Sequence, residues 1–356
     1  MQDPATRLLT DPAARKKIML QGFLISFAGS ILFSTKAIII KKAFHNTSTD
    51  AVTLLTLRML FALPFYIIVA LWQTRKANYT PMSRRQWLIL ILLGLFGYYF
   101  SSLFDFTGLK YISAGLERLI LFLYPSFAVL INAIAFRQRI TKVQGWALLL
   151  TYIGIGIAYF GELKMDTGNP DFYWGSFLVF LCAICYAFYL AGSGRMIPLV
   201  GAARFTSYSM MVATGAILLH YVIRTIHAGN HLSGSPAMAG GPALAGGPAM
   251  AGGPAMAGGS TLYGYAILLA IVGTVLPTFM ISAGMKRIGS NNAAIISSIG
   301  PVSTILQAHF FLGDAIFTEQ LIGTGLVITG VLLIGWKSSQ STENKDLKTA
   351  EMKVLE

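Results

Sequence analysis

The residues to read first are the few charges that interrupt long apolar runs. Lys36, Arg58, Glu117 and Arg118 each sit inside a stretch long enough to cross a bilayer. A charge facing lipid costs about 2.5–3.5 kcal/mol even on the lenient insertion scale, so these side chains should face protein or a water-filled cavity. Counted from the ends of their runs, all four fall in one leaflet, which allows a single cluster of three cations and one carboxylate. Asp105, near the end of its own run, would lower the positive excess. The chemistry offered is recognition: a site for a substrate carboxylate or other anion, with Glu117 binding an amine or exchanging a proton. The same groups could instead form a structural ion network, with Glu117 pairing with Lys36 and Arg58 reaching outward to the interface. Lys36 and Glu117 carry the functional reading, and Arg58 the structural one. Adjacent Glu117 and Arg118 stand about 100° apart on a helix, so at most one points straight into a cavity.

Uncharged polar groups extend the candidate site. Tyr98, Tyr99, Tyr124, Tyr186 and Tyr189 could line a pocket for an amphipathic substrate, although aromatic residues in spans also serve as packing and interface anchors. Asn292 could cap a helix or touch substrate, and Ser297 follows it on the same run. Pro125 and Pro301 each remove a backbone donor in mid-run, which predicts a kink and offers a gating hinge. His309 could titrate or simply pack. Cys182 and Cys185 read Cys-Ala-Ile-Cys, but two thiols inside an apolar run supply too few ligands for a metal site and read as buried packing. No His-rich, paired-Asp or Ser/His/Asp constellation is present. The sequence therefore offers no catalytic residue, no metal site and no cofactor motif.

Composition says what must position these groups. The chain has 55% hydrophobic and only 12% charged residues, with a mean hydropathy of +0.64, far from soluble globular usage. The net charge of +13 does not point to nucleic acid, because Lys and Arg gather at the ends of apolar runs. Ten runs are expected as helices, over about 18–40, 51–72, 87–104, 111–136, 145–161, 174–191, 203–226, 263–285, 291–312 and 319–336. The tract 233–260 repeats a Pro-Ala-Met/Leu-Ala-Gly-Gly hexad and reads as a spacer loop between the seventh and eighth runs.

The runs repeat. A shift of 176 residues carries Gly108 onto Gly284, Pro125 onto Pro301, Gln144 onto Gln320 and Gly154 onto Gly330. A shift of 153 carries Gly22 onto Gly175, Phe27 onto Phe180 and Phe33 onto Tyr186. The expected fold is an all-α membrane protein of ten transmembrane helices arranged as two five-helix repeats. The first repeat covers 18–162 and the second 174–336, with terminal segments 1–17 and 337–356. Alternate sides of this arrangement carry 19 and 5 of the 27 Lys and Arg residues, which puts both termini in the cytoplasm. Five spans per unit then invert one repeat against the other.

The Gly-Leu-Lys-Tyr-Ile-Ser-Ala opening of the fourth run, Pro125 with Pro301, and the Leu-Arg-Met-Leu-Phe-Ala-Leu-Pro stretch holding Arg58 resemble the EamA-type branch of the drug/metabolite transporter superfamily. The family's Gly-Glu pair after the fourth helix of each half is Gly313-Asp314 in the second half and Arg137-Gln138 in the first. The resemblance covers all but the termini and the hexad tract. It implies an inner or plasma membrane protein, a monomer or homodimer, that moves a small-molecule substrate and is not an enzyme. Export of amino acids or related zwitterions by alternating access, with possible proton coupling, is the leading expectation. Organic anions, nucleotide-derived metabolites and lipophilic drugs are the alternatives, and a non-transporting scaffold is the rival class.

Overall fold

The computed structural model describes residues 12–75, 81–136, 142–165, 169–233, 259–288, 296, 299–330 and 332–333. Asn292, Ser297 and most of the hexad tract lie outside the described residues, as do the first eleven residues and the tail. Among the described residues the chain is helical and contains no strand. Helix α1 (Pro12–Asn46) ends in a polar turn, where Asp50 accepts from the Val52 amide at 3.2 Å and from Thr53 Oγ1 at 2.5 Å to open α2 (Ala51–Thr74). Ser83 and Gln86 form a capping box at the start of α3 (Arg84–Gly108), which contains a π-helical turn at Leu95–Phe100. Ser113 accepts from the Leu116 amide at 3.0 Å and opens α4 (Ala114–Leu121), which is followed by α5 (Tyr124–Phe136) and α6 (Lys142–Met165).

Helices α7 (Phe172–Val200) and α8 (Ala202–Ser233) meet at Gly201, whose φ of 84° suits glycine. Helix α9 runs through Gly259–Ala270, a π-helical turn at Ile271–Val275, and Leu276–Ile288. It is followed by α10 (Gly300–Leu312) and α11 (318–330). Gly313, at φ 76°, closes α10, and His309 Nδ1 lies 2.8 Å from the Asp314 carbonyl. His309 and the Gly313-Asp314 pair thus build a helix stop. Seven helices among the described residues are long and apolar enough to cross a membrane, and side chains such as Ile68, Trp72, Trp146, Phe160 and Phe310 face outward from the bundle.

Two expectations are corrected. The run 111–136 is not one kinked helix but two helices separated at Phe122–Leu123, where Leu123 N–H turns to the Ile120 carbonyl at 3.0 Å. Pro125 has no N–H to return to Leu121 and disfavours helical geometry at Tyr124, so the helix stops and restarts. Pro301 likewise sits in the first turn of α10, where a missing N–H costs nothing. Both prolines open helices rather than bending them.

The halves touch reciprocally. Gly108 on α3 packs on Gly175 and Val179 of α7, while Gly284 on α9 packs on Gly22 and Ser26 of α1. These are the same contact twice, since the 176 and 153 shifts convert one set of residues into the other. Gly97 lies against Tyr189 and Gly273 against Lys36, again a matched pair, and the two π-helical turns begin 176 residues apart. Along the α6–α11 seam, Gly154 meets the Gly323 carbonyl and the Val327 amide, while Gly330 meets the Ala147 carbonyl and the Thr151 amide. Each contact i–j thus recurs as j–i between the two sets of repeat-related residues.

A Cβ at Gly154 would come within 2.6 Å of the Gly323 carbonyl oxygen, whereas one at Gly156 or Gly325 meets nothing within 4 Å. Gly154→Val should therefore destabilise by about 1–3 kcal/mol through overpacking, and Gly156→Val should not. Thermal unfolding in detergent reads the difference. At the α1–α2 turn, burial would raise the pKa of Asp50, but hydrogen bonds from Thr53 and Arg224 and the charges of Arg224 and Lys110 outweigh it and hold the carboxyl below its usual range. A depressed carboxylate gives stability that is full above its unfolded value of about 3.9 and is lost as pH falls through the lower folded value. Asp50→Asn should cost about 1 kcal/mol at neutral pH, and its deficit should vanish in acid.

Candidate functional site

The short helix α4 is buried on every side, including Glu117 at 0% and Arg118 at 4% exposure. Two charges on a helix with no outer face must be answered by its neighbours. From α3 comes Asp105, 1% exposed, and from α1 comes Lys36, whose Nζ donates to Asp105 Oδ2 at 2.6 Å. Gly273, in the π-helical turn of α9, packs against the backbone of Lys36. The expected partner of Lys36 in the structural reading was Glu117; the structure gives it Asp105 instead. Lys36 of α1 and Asp105 of α3 form a direct ion pair, and Glu117 of α4 stands behind Asp105 with its carboxyl against that of the aspartate. Among the described residues, no nitrogen or hydroxyl donor reaches Glu117 Oε1, Glu117 Oε2 or Asp105 Oδ1.

Aromatic rings carry the remaining cations. Arg118 lies over Phe33 at 5.1 Å and Phe122 at 5.8 Å, and its Nη2 is 3.5 Å from Ser34 Oγ. Lys36 shares the Phe33 ring at 5.6 Å. Arg58 lies over Phe106 at 5.1 Å, buried on α2 rather than reaching outward to the interface as the sequence reading had it. The Nε groups of Arg58 and Arg118 have no hydrogen-bond partner among the described residues. Two cationic N–H groups are thus buried without an acceptor, which is costly unless something else supplies one.

Four of the five tyrosines form a chain of contacts. Tyr98 and Tyr189 hydroxyls are 2.8 Å apart, Tyr186 stacks on Tyr189 at 5.7 Å, and Tyr124 meets Tyr186 edge-on at 5.1 Å. Tyr99 does not join them; it turns to α8, with its hydroxyl 3.0 Å from His220 Nδ1. Pro125 and Pro301 lie at the starts of α5 and α10, and Gly300 brings its backbone against the Arg118 guanidinium. The sequence reading passed over Phe33, Phe106 and Ser34, and assigned Cys182 to packing. Phe33 was findable, because it stands one helical turn before Lys36. Cys182, 3% exposed, does pack in the apolar core, with Phe122 and Val179.

Towards the C-terminal end of α1, a cavity of about 770 Å³ opens beside this cluster, lined among others by Lys41, Lys42, Lys110, Glu162, Asp314 and Gln320. Among the described residues no group of three His, Cys, Asp or Glu side chains is placed to hold a metal.

Membrane-crossing helices around a buried polar site define a multi-pass membrane transporter rather than an enzyme. The chain belongs to the EamA-like transporter family, whose model matches residues 20–160 and 173–336. It is 29% identical over 315 residues to the uncharacterized transporter YcbK of Bacillus subtilis (strain 168), covering 87% of this chain and 92% of the relative. It is 22% identical over 322 residues to the uncharacterized inner membrane transporter YicL of Salmonella typhimurium (strain LT2), covering 89% and 96%. A solved crystal structure shares the fold, with a TM-score of 0.55 at 17% identity over 90% of this chain and 98% of that one.

Removing one member of a buried ion pair strands the other, a loss of about 3–5 kcal/mol, whereas replacing both with apolar groups is often neutral. Lys36→Met should therefore lower thermal stability sharply, and Lys36→Met/Asp105→Leu should recover most of it. A double-mutant cycle of unfolding free energies in detergent measures the coupling.

Proposed function

We propose that the protein is a secondary active transporter that moves small zwitterionic metabolites, amino acids first among them, out of the cell by alternating access. The observation that carries this reading is the asymmetry of the site under the repeat. The shift that relates the halves places Tyr189 opposite Lys36, and Ala293 and Ala294 opposite Glu117 and Arg118. A scaffold requirement would recur in both halves; these charges do not. One wall of the site is ionic and the other phenolic, which suits a ligand with charged groups at one end and an apolar side chain at the other. Arg118 and Lys36 suit a carboxylate, Glu117 and Asp105 suit an ammonium group, and Tyr98, Tyr124, Tyr186 and Tyr189 suit the side chain.

Reciprocal glycine contacts and paired π-helical turns support ten spans built as two inverted five-helix units, 18–162 and 174–336. In this reading α4 with α5, and the segment ending in α10, each make one span. Both termini lie in the cytoplasm, and 233–260 is a spacer that transport does not need. Inverted units around a midplane site are the framework of rocking carriers. A second reading, organic-anion export, is favoured by Lys41, Lys42 and Lys110 around the 770 Å³ cavity.

Counterflow in proteoliposomes, with amino acids, organic anions and lipophilic cations as the panel, tests this. Amino-acid exchange is expected, reduced ten- to hundredfold in Arg118→Gln by the loss of a charge-assisted hydrogen bond of about 1.5–3 kcal/mol. Exchange of lipophilic cations alone, unchanged by Arg118→Gln, would show the charged cluster to be scaffold.

A further inference from the structure

The oxygens around Glu117 do not add up if every carboxyl is ionised. Asp105 spends Oδ2 on Lys36, and its Oδ1 and both oxygens of Glu117 have no donor from any other described residue. Yet the two carboxyls face each other at hydrogen-bonding reach, with both residues buried from water. Two carboxylates cannot satisfy one another, because each only accepts. A single proton resolves the arrangement: Glu117 holds it and donates to Asp105 Oδ1, while Lys36 holds Oδ2. Among the described residues the neighbouring elements supply no other donor. Lys36 comes from α1, Arg58 from α2 and Cys182 from α7, while Arg118 leaves the far side of α4 for Phe33 and Phe122. Helix α10 presents Ile305 and Gly300 to α4, and Glu162 of α6 sits at the other end, on the Ser113 amide at 3.2 Å.

We propose that Asp105 and Glu117 form a proton-binding site sharing one exchangeable proton, and that this proton is the one exchanged for substrate. The use assigned to it rests on the transport reading above; its existence does not. With the proton in place, Lys36, Asp105 and Glu117 sum to zero charge. Without it, the three carry a net negative charge, beside Arg58 and Arg118. Loss of the proton frees Glu117 to take an ammonium group, and arrival of a proton displaces that group. Binding of substrate amine and of proton are therefore mutually exclusive at one carboxylate, which is the requirement for antiport.

Infrared difference spectroscopy of the purified protein in lipid tests the site without any substrate. A carbonyl stretch of a protonated, buried carboxylic acid is expected at neutral pH, lost in Glu117→Gln and shifted in Asp105→Asn. Glu117→Gln keeps an N–H donor towards Asp105, so it should fold as the native chain does. Absence of the band, or a band untouched by both substitutions, overturns the proton site. In proteoliposomes, a pH gradient should drive amino-acid accumulation by the native protein and not by Glu117→Gln. Gradient-driven accumulation equal to that of the native protein would overturn the coupling role. A protein that shows the band but exchanges nothing would instead defeat the transport reading, leaving the proton site standing.

Discussion

The structure turns on the contact between Lys36 and Asp105, because it makes a buried charge tolerable where water is scarce. An ion pair of this kind is weak as a source of stability, since desolvation consumes most of the Coulombic gain. Its effect is to fix geometry. With Lys36 tied to Asp105, α1 and α3 are held at one register, and Glu117 can rest against the aspartate without a cation of its own. Arg58 and Arg118 are then left to aromatic faces, which tolerate a guanidinium but do not saturate its donors.

Two kinds of residue share the repeat, and they behave differently under it. Small residues that let backbones approach, such as Gly108 with Gly284 and Gly97 with Gly273, occur in both halves and make the same contact twice. Residues that give the site its chemistry occur once. Lys36 has Tyr189 as its counterpart, and both lean on a glycine in a π-helical turn. Such turns widen the helix locally and are common at functional sites. Here they give the architecture one socket in each half and let the sequence fill the two sockets differently.

Much of this was legible without coordinates. Charge scarcity and long apolar runs announce a membrane protein, and the two shifts relate residues that prove to make equivalent contacts. Lys36, Glu117 and Arg118 drew attention simply because a charge in a span demands a reason, and they do gather. What escaped the sequence depended on side-chain direction. Pairing Lys36 with Glu117 or with Asp105 is a matter of how three helices are rotated, which hydropathy does not encode. Tyr98 and Tyr99 both lie in the π-helical turn of α3, where the ordinary 3.6-residue period fails, so neither could be assigned a face by counting. Pro125 predicted a disturbance but not its form: whether a helix bends or restarts depends on whether its neighbours leave space for the bend.

The seam between α6 and α11 uses one contact twice, Gly154 on Gly323 and Gly330 on Ala147. Its contacts are made by small and apolar residues and by backbone, not by the charged side chains of the site. On the proposed site, descendants of this chain could change cargo by altering the few polar positions that occur once, without renegotiating the joint that holds the halves together. Conversely, drift in the joint would be felt by every cargo alike. Inheritance of shape and inheritance of specificity are thus written in separate residues, and selection can act on each alone.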